Sequence, residues 1–301
     1  MCERGTGFGE GSSDVTVNPD GTVTIVSGLP DNGTGALTVV TQIVAEMLGV
    51  SFERVRLVRG TTDALPTDVG SAADRMTNVA GHAALAAATQ VRDQLAPLAA
   101  MMLGVESVDW EGGAWQGQDG RRVTLEELAT EMLGPGDPRA HVQVTLTQPR
   151  SLDRDYCVQI AEVTVDAETG EVHLDRFTTV QDVGTIINPL GHQGQIEGGL
   201  VQGLGYALTE ELVVEEGRIV NAHLGDYKLP TIRDIPELVS INLALTGGPG
   251  PFAAKAIGEL SGVSPAAAVA NAVADAIGAP VFDLPITPER VLAALDGRAQ
   301  R

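Results

Sequence analysis

The sequence predicts an α+β fold of two similar subdomains, each a hairpin or small sheet packed against helices. Three observations lead to this prediction. Alternating apolar residues flank a tight turn twice, an apolar helical stripe follows each time, and a segment rich in glycine and proline separates the two copies. We therefore expect a first subdomain over residues 1–138 and a second over residues 139–301.

The first half opens on a hairpin. Its turn is Asp20-Gly21, a dipeptide typical of tight β-turns, with alternating apolar residues on both sides. The alternating residues are Val15, Val17, Val23 and Ile25. The glycine-rich turn at residues 31–35 follows, and a helix then buries one stripe before it stops at Gly49. The stripe consists of Ala36, Val40, Ile43, Val44, Met47 and Leu48.

The second half repeats this order. Thr169-Gly170 makes the turn of a second hairpin, Asp182-Val183-Gly184-Thr185 resembles the earlier glycine turn, and another helix follows. Its stripe consists of Ile196, Gly199, Leu200, Gly203, Leu204 and Ala207. Because hairpin, glycine turn and helix occur twice in one order, we predict two related α+β units.

Residues that typically interrupt or start helices predict the boundary and the remaining helices. Gly134-Pro135-Gly136-Asp137-Pro138 breaks both helix and strand, so we place the boundary there. Thr124 and Glu127 have the spacing of a capping box for a short helix before it. Ser264-Pro265 and Thr287-Pro288 are typical starts of two C-terminal helices.

Composition narrows the classes of function. The chain of 301 residues is 43% hydrophobic and has a net charge of −21, which repels nucleic-acid phosphates and anionic lipid. Its two cysteines, Cys2 and Cys157, are too few for a disulfide framework or an iron–sulfur cluster, and its five histidines lack metal-ligand spacing. No signal peptide or membrane-spanning apolar run stands out. We expect a cytoplasmic protein whose partners are small molecules or proteins.

Two segments of the first half are candidate binding sites. Gly33-Thr34-Gly35 stands at a predicted helix N-terminus, where free N–H groups favour a phosphate; the alternative is a turn that needs glycine only for backbone geometry. The loop at residues 70–77 could wrap a polar cofactor, or it could be a surface loop that caps the next helix. Its small and polar members include Ser71, Ala72, Ala73, Asp74 and Arg75.

Two further candidates lie in the second half. Residues 194–205 place several glycines in a helical pattern, each at a cost of about 1 kcal/mol, which indicates close packing or a ligand. Gln195 among them could bind a heterocycle or an oxo group, or lie on the surface. Residues 250–259 are small and apolar apart from Lys255 and end at Glu259. A desolvated carboxylate has a raised pKa and suits a general base, although a lone glutamate is more often solvated.

These segments, in this order and spacing, resemble the C-terminal half of the molybdopterin-binding subunit in the xanthine dehydrogenase, aldehyde oxidase and carbon monoxide dehydrogenase family. The resemblance covers nearly the whole chain. The matching motifs are Gly33-Thr34-Gly35-x-x-Thr38-x-x-x-Gln42, Asp63-x-x-Pro66-x-x-x-Gly70-x-x-x-x-Arg75, Asn188-Pro189 with Gly194-Gln195-x-Glu197-Gly198, Tyr227-x-x-Pro230-Thr231-x-x-Asp234-x-Pro236, and Lys255-x-x-Gly258-Glu259.

The resemblance implies a molybdenum–pyranopterin cofactor, for which we expect the cytosine dinucleotide form, with the metal held by the pterin rather than by protein side chains. It implies a molybdenum hydroxylase that hydroxylates an electron-poor carbon of an N-heterocycle, purine or aldehyde, with water as oxygen source and Glu259 as base. Carbon monoxide oxidation and a non-catalytic scaffold are the alternatives. Cofactor-binding roles are implied for Gly33, Thr34, Gly35, Thr38, Ser71, Ala72, Ala73, Asp74, Arg75 and Gln195.

The sequence also departs from the family. The family's first half, with its substrate-contacting residues, has no counterpart here, so we expect a split subunit or a truncated copy. The implied partners are a polypeptide carrying that first half, an iron–sulfur subunit and, as a further candidate, an FAD subunit. Thr34 stands where many members have glutamine, and Asp74 where serine is common. Ala253 and Ala256 replace family glycines, which shifts the expected approach to Glu259.

Overall fold

The computed structural model of the chain describes residues 2–5, 7–59, 68, 70–151, 154–245 and 247–299. The helices are α1 (Ala36–Leu48), α2 (Arg75–Leu103), α3 (Leu125–Met132), α4 (Pro189–Leu208), α5 (Leu224–Tyr227), α6 (Pro265–Ile277) and α7 (Pro288–Ala299). The strands are β1 (Cys2–Gly5), β2 (Gly9–Val17), β3 (Val23–Val26), β4 (Val55–Val58), β5 (Val108–Glu111), β6 (Ala114–Gly117), β7 (Arg122–Thr124), β8 (His141–Gln148), β9 (Arg154–Val165), β10 (Val172–Asp182), β11 (Val214–Glu215), β12 (Arg218–Ile219) and β13 (Glu237–Leu243).

The first sheet has the strand order β4-β3-β2-β8 and packs against α1 and α2. The predicted hairpin is present, with Val15 opposite Ile25, and β4 joins β3 in parallel after the chain crosses over through α1. Alanines such as Ala84 and Ala87 lie fully buried on α2, so this long helix packs closely on the sheet. The small sheet β5-β6-β7 and α3 close one end of this core around Trp115.

The second sheet repeats the plan with the order β13-β10-β9-β1. β9 and β10 form the second predicted hairpin, and β13 joins β10 in parallel after α4. One face of the sheet packs on α4 and α6 around a core that includes Phe177, Leu200 and Val273. The predicted α+β fold with two similar units is therefore confirmed at the level of strand order and connection.

The two sheets exchange one strand each. β1 precedes the first hairpin in the chain but pairs with β9, and β8 precedes the second hairpin but pairs with β2. The division after residue 138 stays a prediction for the folding units. It does not match sheet membership, because His141–Gln148 belongs to the first sheet and Cys2–Gly5 to the second. Neither strand is among those predicted from the sequence, and the alternation of side chains does not show which sheet a strand joins.

Glycines on one face of α4 allow close packing. A Cβ at Gly199 would clash with the side chain of Ser261, and one at Gly203 would clash with Pro265 at the start of α6. Gly194 and Gly198 have open space instead. Of the two explanations that the sequence offered for these glycines, close packing applies to Gly199 and Gly203.

We expect Gly203→Val to destabilise the protein by about 1–3 kcal/mol, because the added side chain overpacks the contact between α4 and α6. Thermal unfolding of the purified protein measures the effect. The matched control is Gly198→Val on the same helix, where the space is open. Equal melting temperatures for the two variants would contradict the packing assignment.

The stretch Leu260–Ile277 is apolar and long enough to span a membrane, by length and composition alone. It is not one helix, since a 3-10 turn at Leu260–Gly262 precedes α6. The 13 residues of α6 rise only about 20 Å, less than the roughly 30 Å of a hydrocarbon core. Val269 and Val273 of α6 are fully buried in the second core, so this helix belongs to the packed interior.

Candidate functional site

A cavity of about 240 Å³ lies between the two units. The first unit contributes the starts of α1 and α2, and the second contributes the start of α4 and residues 250–259. The cavity brings together predicted residues from all four candidate segments, namely Thr34, Ser71, Ala72, Asp74, Arg75, Gln195 and Glu259. The predicted residues Gly33, Gly35 and Ala73 stand in the same turns, and Thr38 lies in the first turn of the helix that begins at Ala36; none of the four lines the cavity.

Three helices direct their N-termini at this cavity. Its wall includes Ala36 at the start of α1, Arg75 at the start of α2 and Asn188, the residue that caps α4. None of the three helices has an acidic residue in its first turn. Backbone N–H groups at the helix starts and the positive ends of the helix dipoles favour an anionic group, such as a phosphate, close to them. The carboxylates of Asp74 and Glu259 belong to the same wall and oppose this attraction.

The two glycine turns occupy equivalent positions around the cavity. Gly33 and Gly184 have φ angles of 85° and 59°, in the left-handed region that favours glycine. The threonines that follow them, Thr34 and Thr185, both line the cavity. The Thr34 hydroxyl donates to the Asn32 side chain over 3.2 Å, so the threonine that replaces the family glutamine takes part in the turn.

Arg75 holds the loop before α2. Its buried guanidinium donates to the backbone oxygens of Gly70 at 2.9 Å, Glu10 at 2.8 Å and Phe8 at 3.3 Å. The carboxylate of Asp68 lies 3.6 Å away and is also buried. These contacts join the loop to the start of β2, so Arg75 shapes the cavity wall through the backbone. Residues Asp63 and Pro66 of the same motif lie outside the described residues.

Asp74 brings the two halves of the cavity into contact. It adopts a left-handed conformation with φ 57°, directly after Ala73 with φ 49°. A Cβ at Gly258 would lie only 2.7 Å from the Asp74 carboxylate, so glycine allows the two segments to approach closely at the position before Glu259. The serine-to-aspartate departure therefore places a carboxylate against the segment that carries Glu259.

The start of α4 forms the opposite wall. Asn188 caps the helix by accepting from the Gly191 N–H at 3.1 Å, and Pro189 occupies the first turn. Gln195 is half-buried one turn further along and lines the cavity. His192 lies between them. Burial lowers the pKa of its imidazole and outweighs the hydrogen bond with Asn242, which raises it. The imidazole is therefore neutral at pH 7.

Glu259 lies at the cavity and is exposed in this chain. The apolar, desolvated surroundings predicted for it are therefore wrong for the chain on its own. Its backbone is nevertheless well anchored on the C-terminal side, where Leu260 is fully buried and the Gln159 amide donates to the Ser261 carbonyl oxygen over 2.7 Å. The carboxylate is thus presented to the cavity from a fixed turn.

Sequence reasoning missed a buried ion pair beside this turn. The Lys255 ammonium lies 2.6 Å from the Asp182 carboxylate, and both side chains are almost fully buried. Burial raises the pKa of Asp182, but the hydrogen bond and the charge of Lys255 outweigh it and the net shift is downward. Both residues belong to motifs that the sequence singled out. Their separation of 73 positions in the sequence hid the pairing.

Sequence comparison identifies similar proteins. The family described as molybdopterin cofactor-binding domain matches residues 2–236. The chain is 33% identical to the 6-hydroxypseudooxynicotine dehydrogenase complex subunit gamma of Paenarthrobacter nicotinovorans, over 99% of this chain and 39% of that protein. It is 32% identical to a putative xanthine dehydrogenase molybdenum-binding subunit of Escherichia coli, over 91% of this chain and 38% of that protein.

Solved structures agree with this result. The reconstituted CO dehydrogenase of Oligotropha carboxidovorans superposes with a TM-score of 0.89 at 25% identity, over 99% of this chain and 40% of that one. The chain therefore spans about two fifths of the length of the proteins that it matches.

Proposed function

The chain belongs to the molybdopterin cofactor-binding domain family, as do molybdenum-binding subunits of dehydrogenases and oxidoreductases, and from this premise we propose that its cavity forms one wall of a molybdenum–pterin site. The observation that carries the proposal is the meeting of three helix N-termini and Glu259 at one cavity. We propose the cytosine dinucleotide form of the cofactor, because the extra phosphate suits a site with several helix N-termini.

The cavity residues fit such a group. Phosphate oxygens require N–H donors at close range, which the first turns of α1 and α2 and the glycine turn before α1 provide. A pterin ring also carries N–H groups, which require acceptors. Asn78 lines the cavity, and its buried side-chain oxygen has no hydrogen-bond partner among the described residues, while its amide donates to Gly7. It offers an acceptor of the required kind.

Each residue then has a distinct role. The bound cofactor supplies two-electron oxidation of a substrate carbon, with oxygen derived from water. Arg75 holds the loop at residues 70–75 against it, and Gln195 donates and accepts hydrogen bonds from α4. Glu259 takes up a proton on its carboxylate as general base, a role that contributes roughly 10²–10⁴-fold in rate. The polypeptide that covers Glu259 in the complete subunit would provide the desolvation that this chain lacks.

Metal and pterin analysis of the purified complex tests the proposal. We expect about one molybdenum and one pterin per copy of the chain. Ser71→Trp places a large ring at the cavity wall and should lower both contents together, whereas Ser51→Trp, at an exposed site away from the cavity, should leave them unchanged. An active complex without molybdenum would contradict the proposed molybdenum–pterin site.

The proposed partner is a polypeptide that corresponds to the remaining three fifths of the relatives' length. The outer face of the second sheet supports a large interface. Tyr156, Val158 and Ile160 on β9 and Ile241 on β13 are each 42–51% exposed on that face. A solvated sheet face normally carries polar side chains, so an apolar one marks an interaction surface.

We expect the chain to aggregate when it is expressed alone and to stay in solution with that partner, because association covers the apolar face. Ile160→Lys should weaken retention of the partner in size-exclusion chromatography. Ile232→Lys is the control, since Ile232 is 88% exposed and lies off the sheet. A monodisperse monomer that binds no partner would contradict this prediction.

The proposal extends to the complete enzyme. It would be a hydroxylase of an N-heterocycle, purine or aldehyde that passes electrons to an iron–sulfur subunit, with FAD on a further subunit. We propose a cytoplasmic location for this enzyme. Carbon monoxide oxidation is the second candidate, favoured by the TM-score of 0.89 to a CO dehydrogenase. Turnover assays with a purine, an aldehyde and carbon monoxide separate these substrates.

A further inference from the structure

The segment that carries Glu259 lacks regular secondary structure and is held by backbone hydrogen bonds within itself and to residues 183–185. Residues 247–259 contain one isolated bridge, between Ala254 and Gly184, and otherwise irregular backbone with a short 3-10 turn. Phe252 and Ala253 adopt left-handed conformations with φ 54° and 66°. Such conformations are unfavourable for non-glycine residues and persist only where surrounding structure imposes them. The segment therefore depends on a contact elsewhere.

The buried pair of Asp182 and Lys255 is such a contact. Asp182 ends β10, a strand in the interior of the second sheet, and its carboxylate also accepts from the Leu245 N–H at 3.4 Å. The Lys255 ammonium donates to the same carboxylate at 2.6 Å, and the Lys255 N–H donates to the Val183 carbonyl oxygen. One residue thus fixes the irregular segment to the sheet through side chain and backbone together.

Two glycines shape a narrow channel for the Lys255 stem. A Cβ at Gly248 would lie 2.5 Å from the Lys255 Cγ, and one at Gly184 would lie 3.2 Å from it. Lysine is rare in this chain, which uses it at two of its 19 basic positions and arginine at the rest. A side chain at either glycine would collide with the Lys255 stem at Cγ, so the close approach of this stem depends on glycine at both positions.

We propose that Asp182 and Lys255 are a positioning pair for Glu259, an inference that rests on the proposed role of Glu259 as base. Lys255 stands four residues before Glu259, and the buried turn at Leu260 and Ser261 follows it. Glu259 is held between these two anchors, and the pair is the N-terminal one. It sets the carboxylate relative to the cavity, whose wall Lys255 also lines.

Hydrogen exchange on the assembled complex tests this role without reference to activity. Lys255→Met should accelerate exchange of amides 247–259 by at least about tenfold, with much smaller changes in α6 and β9. Arg176→Met is the control, since it breaks an exposed pair with Glu237 near the other end of β10.

A double variant separates positioning from plain stability. Asp182→Leu with Lys255→Met replaces the buried pair by apolar side chains, a change that often leaves global stability intact. We expect this variant to keep the melting temperature of the wild type while amides 247–259 stay fast and kcat falls with KM little changed. Restored protection of those amides in the double variant would overturn the proposal. So would a uniform acceleration of amide exchange throughout the second unit in Lys255→Met. If Glu259→Gln keeps full turnover, Glu259 is not the base. The exchange rates of amides 247–259 still show whether the pair of Asp182 and Lys255 anchors the segment.

Discussion

Replacing Glu259 by glutamine should abolish turnover by several orders of magnitude while the complex assembles and keeps its molybdenum. The amide retains the shape and most of the hydrogen bonds of the carboxylate, but it cannot take up a proton. The turn around it is anchored by buried Leu260 and by the bond from Gln159 to Ser261, so we expect no change in the fold.

The measurement is kcat/KM per molybdenum, which separates loss of chemistry from loss of cofactor. The control is Glu197→Gln, an exposed glutamate on α4 that does not line the cavity. If Glu259 were a structural residue, turnover would fall only as far as molybdenum content falls. Full molybdenum with near-normal turnover would exclude Glu259 from the mechanism.

Arg75→Ala is expected to have the second largest effect, on stability and cofactor content together. The guanidinium is buried and donates to three backbone oxygens, beside the buried carboxylate of Asp68. Its removal leaves those acceptors and a buried charge without compensation, which costs about 3–5 kcal/mol. The loop at residues 70–74 would lose its shape, and the molybdenum content of the complex should drop.

Thermal unfolding and metal analysis of the complex measure both effects. Arg75→Lys should rescue little, because a single ammonium cannot replace the fork that spans Gly70, Glu10 and Phe8. Arg176→Ala, at an exposed ion pair, is the control and should change the melting temperature and the molybdenum content very little. A variant at position 75 with normal stability and normal molybdenum would contradict the anchoring role.

Local signals in the sequence accounted for much of the fold. The turns at Asp20-Gly21 and Thr169-Gly170 defined both hairpins, and the capping box of Thr124 and Glu127 is present at the start of α3. The exchange of β1 and β8 between sheets was missed, because strand partners are set by tertiary packing that periodicity does not encode. For the same reason, the sequence could place the domain boundary only at the segment whose glycines and prolines interrupt helix and strand.

The site was predictable in its parts but not in its contacts. The glycine turns and Glu259 stood out by residue type, and the structure places Thr34, Gln195 and Glu259 at one cavity. The ion pair of Asp182 and Lys255 was hidden, since nothing local marks two residues so far apart as partners. The exposure of Glu259 was also mispredicted, because neighbours in sequence do not determine solvent access.

The departure at Ala253 has a structural counterpart. Its φ of 66° lies in the left-handed region that glycine adopts freely, so a glycine would be less strained than alanine at this position. The backbone oxygen of Ala253 accepts from the N–H groups of Thr185 at 3.3 Å and Gly248 at 2.9 Å, which helps to hold this conformation. The expected shift in the approach to Glu259 stays a prediction.

A structure of the assembled complex with its cofactor tests the central claim most directly. We expect the pterin to lie between the loop at residues 70–75 and the start of α4. We also expect a Glu259 carboxylate oxygen about 2.6–3.2 Å from the group that loses its proton, or one water away from it. The partner polypeptide should shield Glu259 from solvent. A cofactor bound outside this cavity, or a Glu259 carboxylate that stays in open solvent, would contradict the central claim.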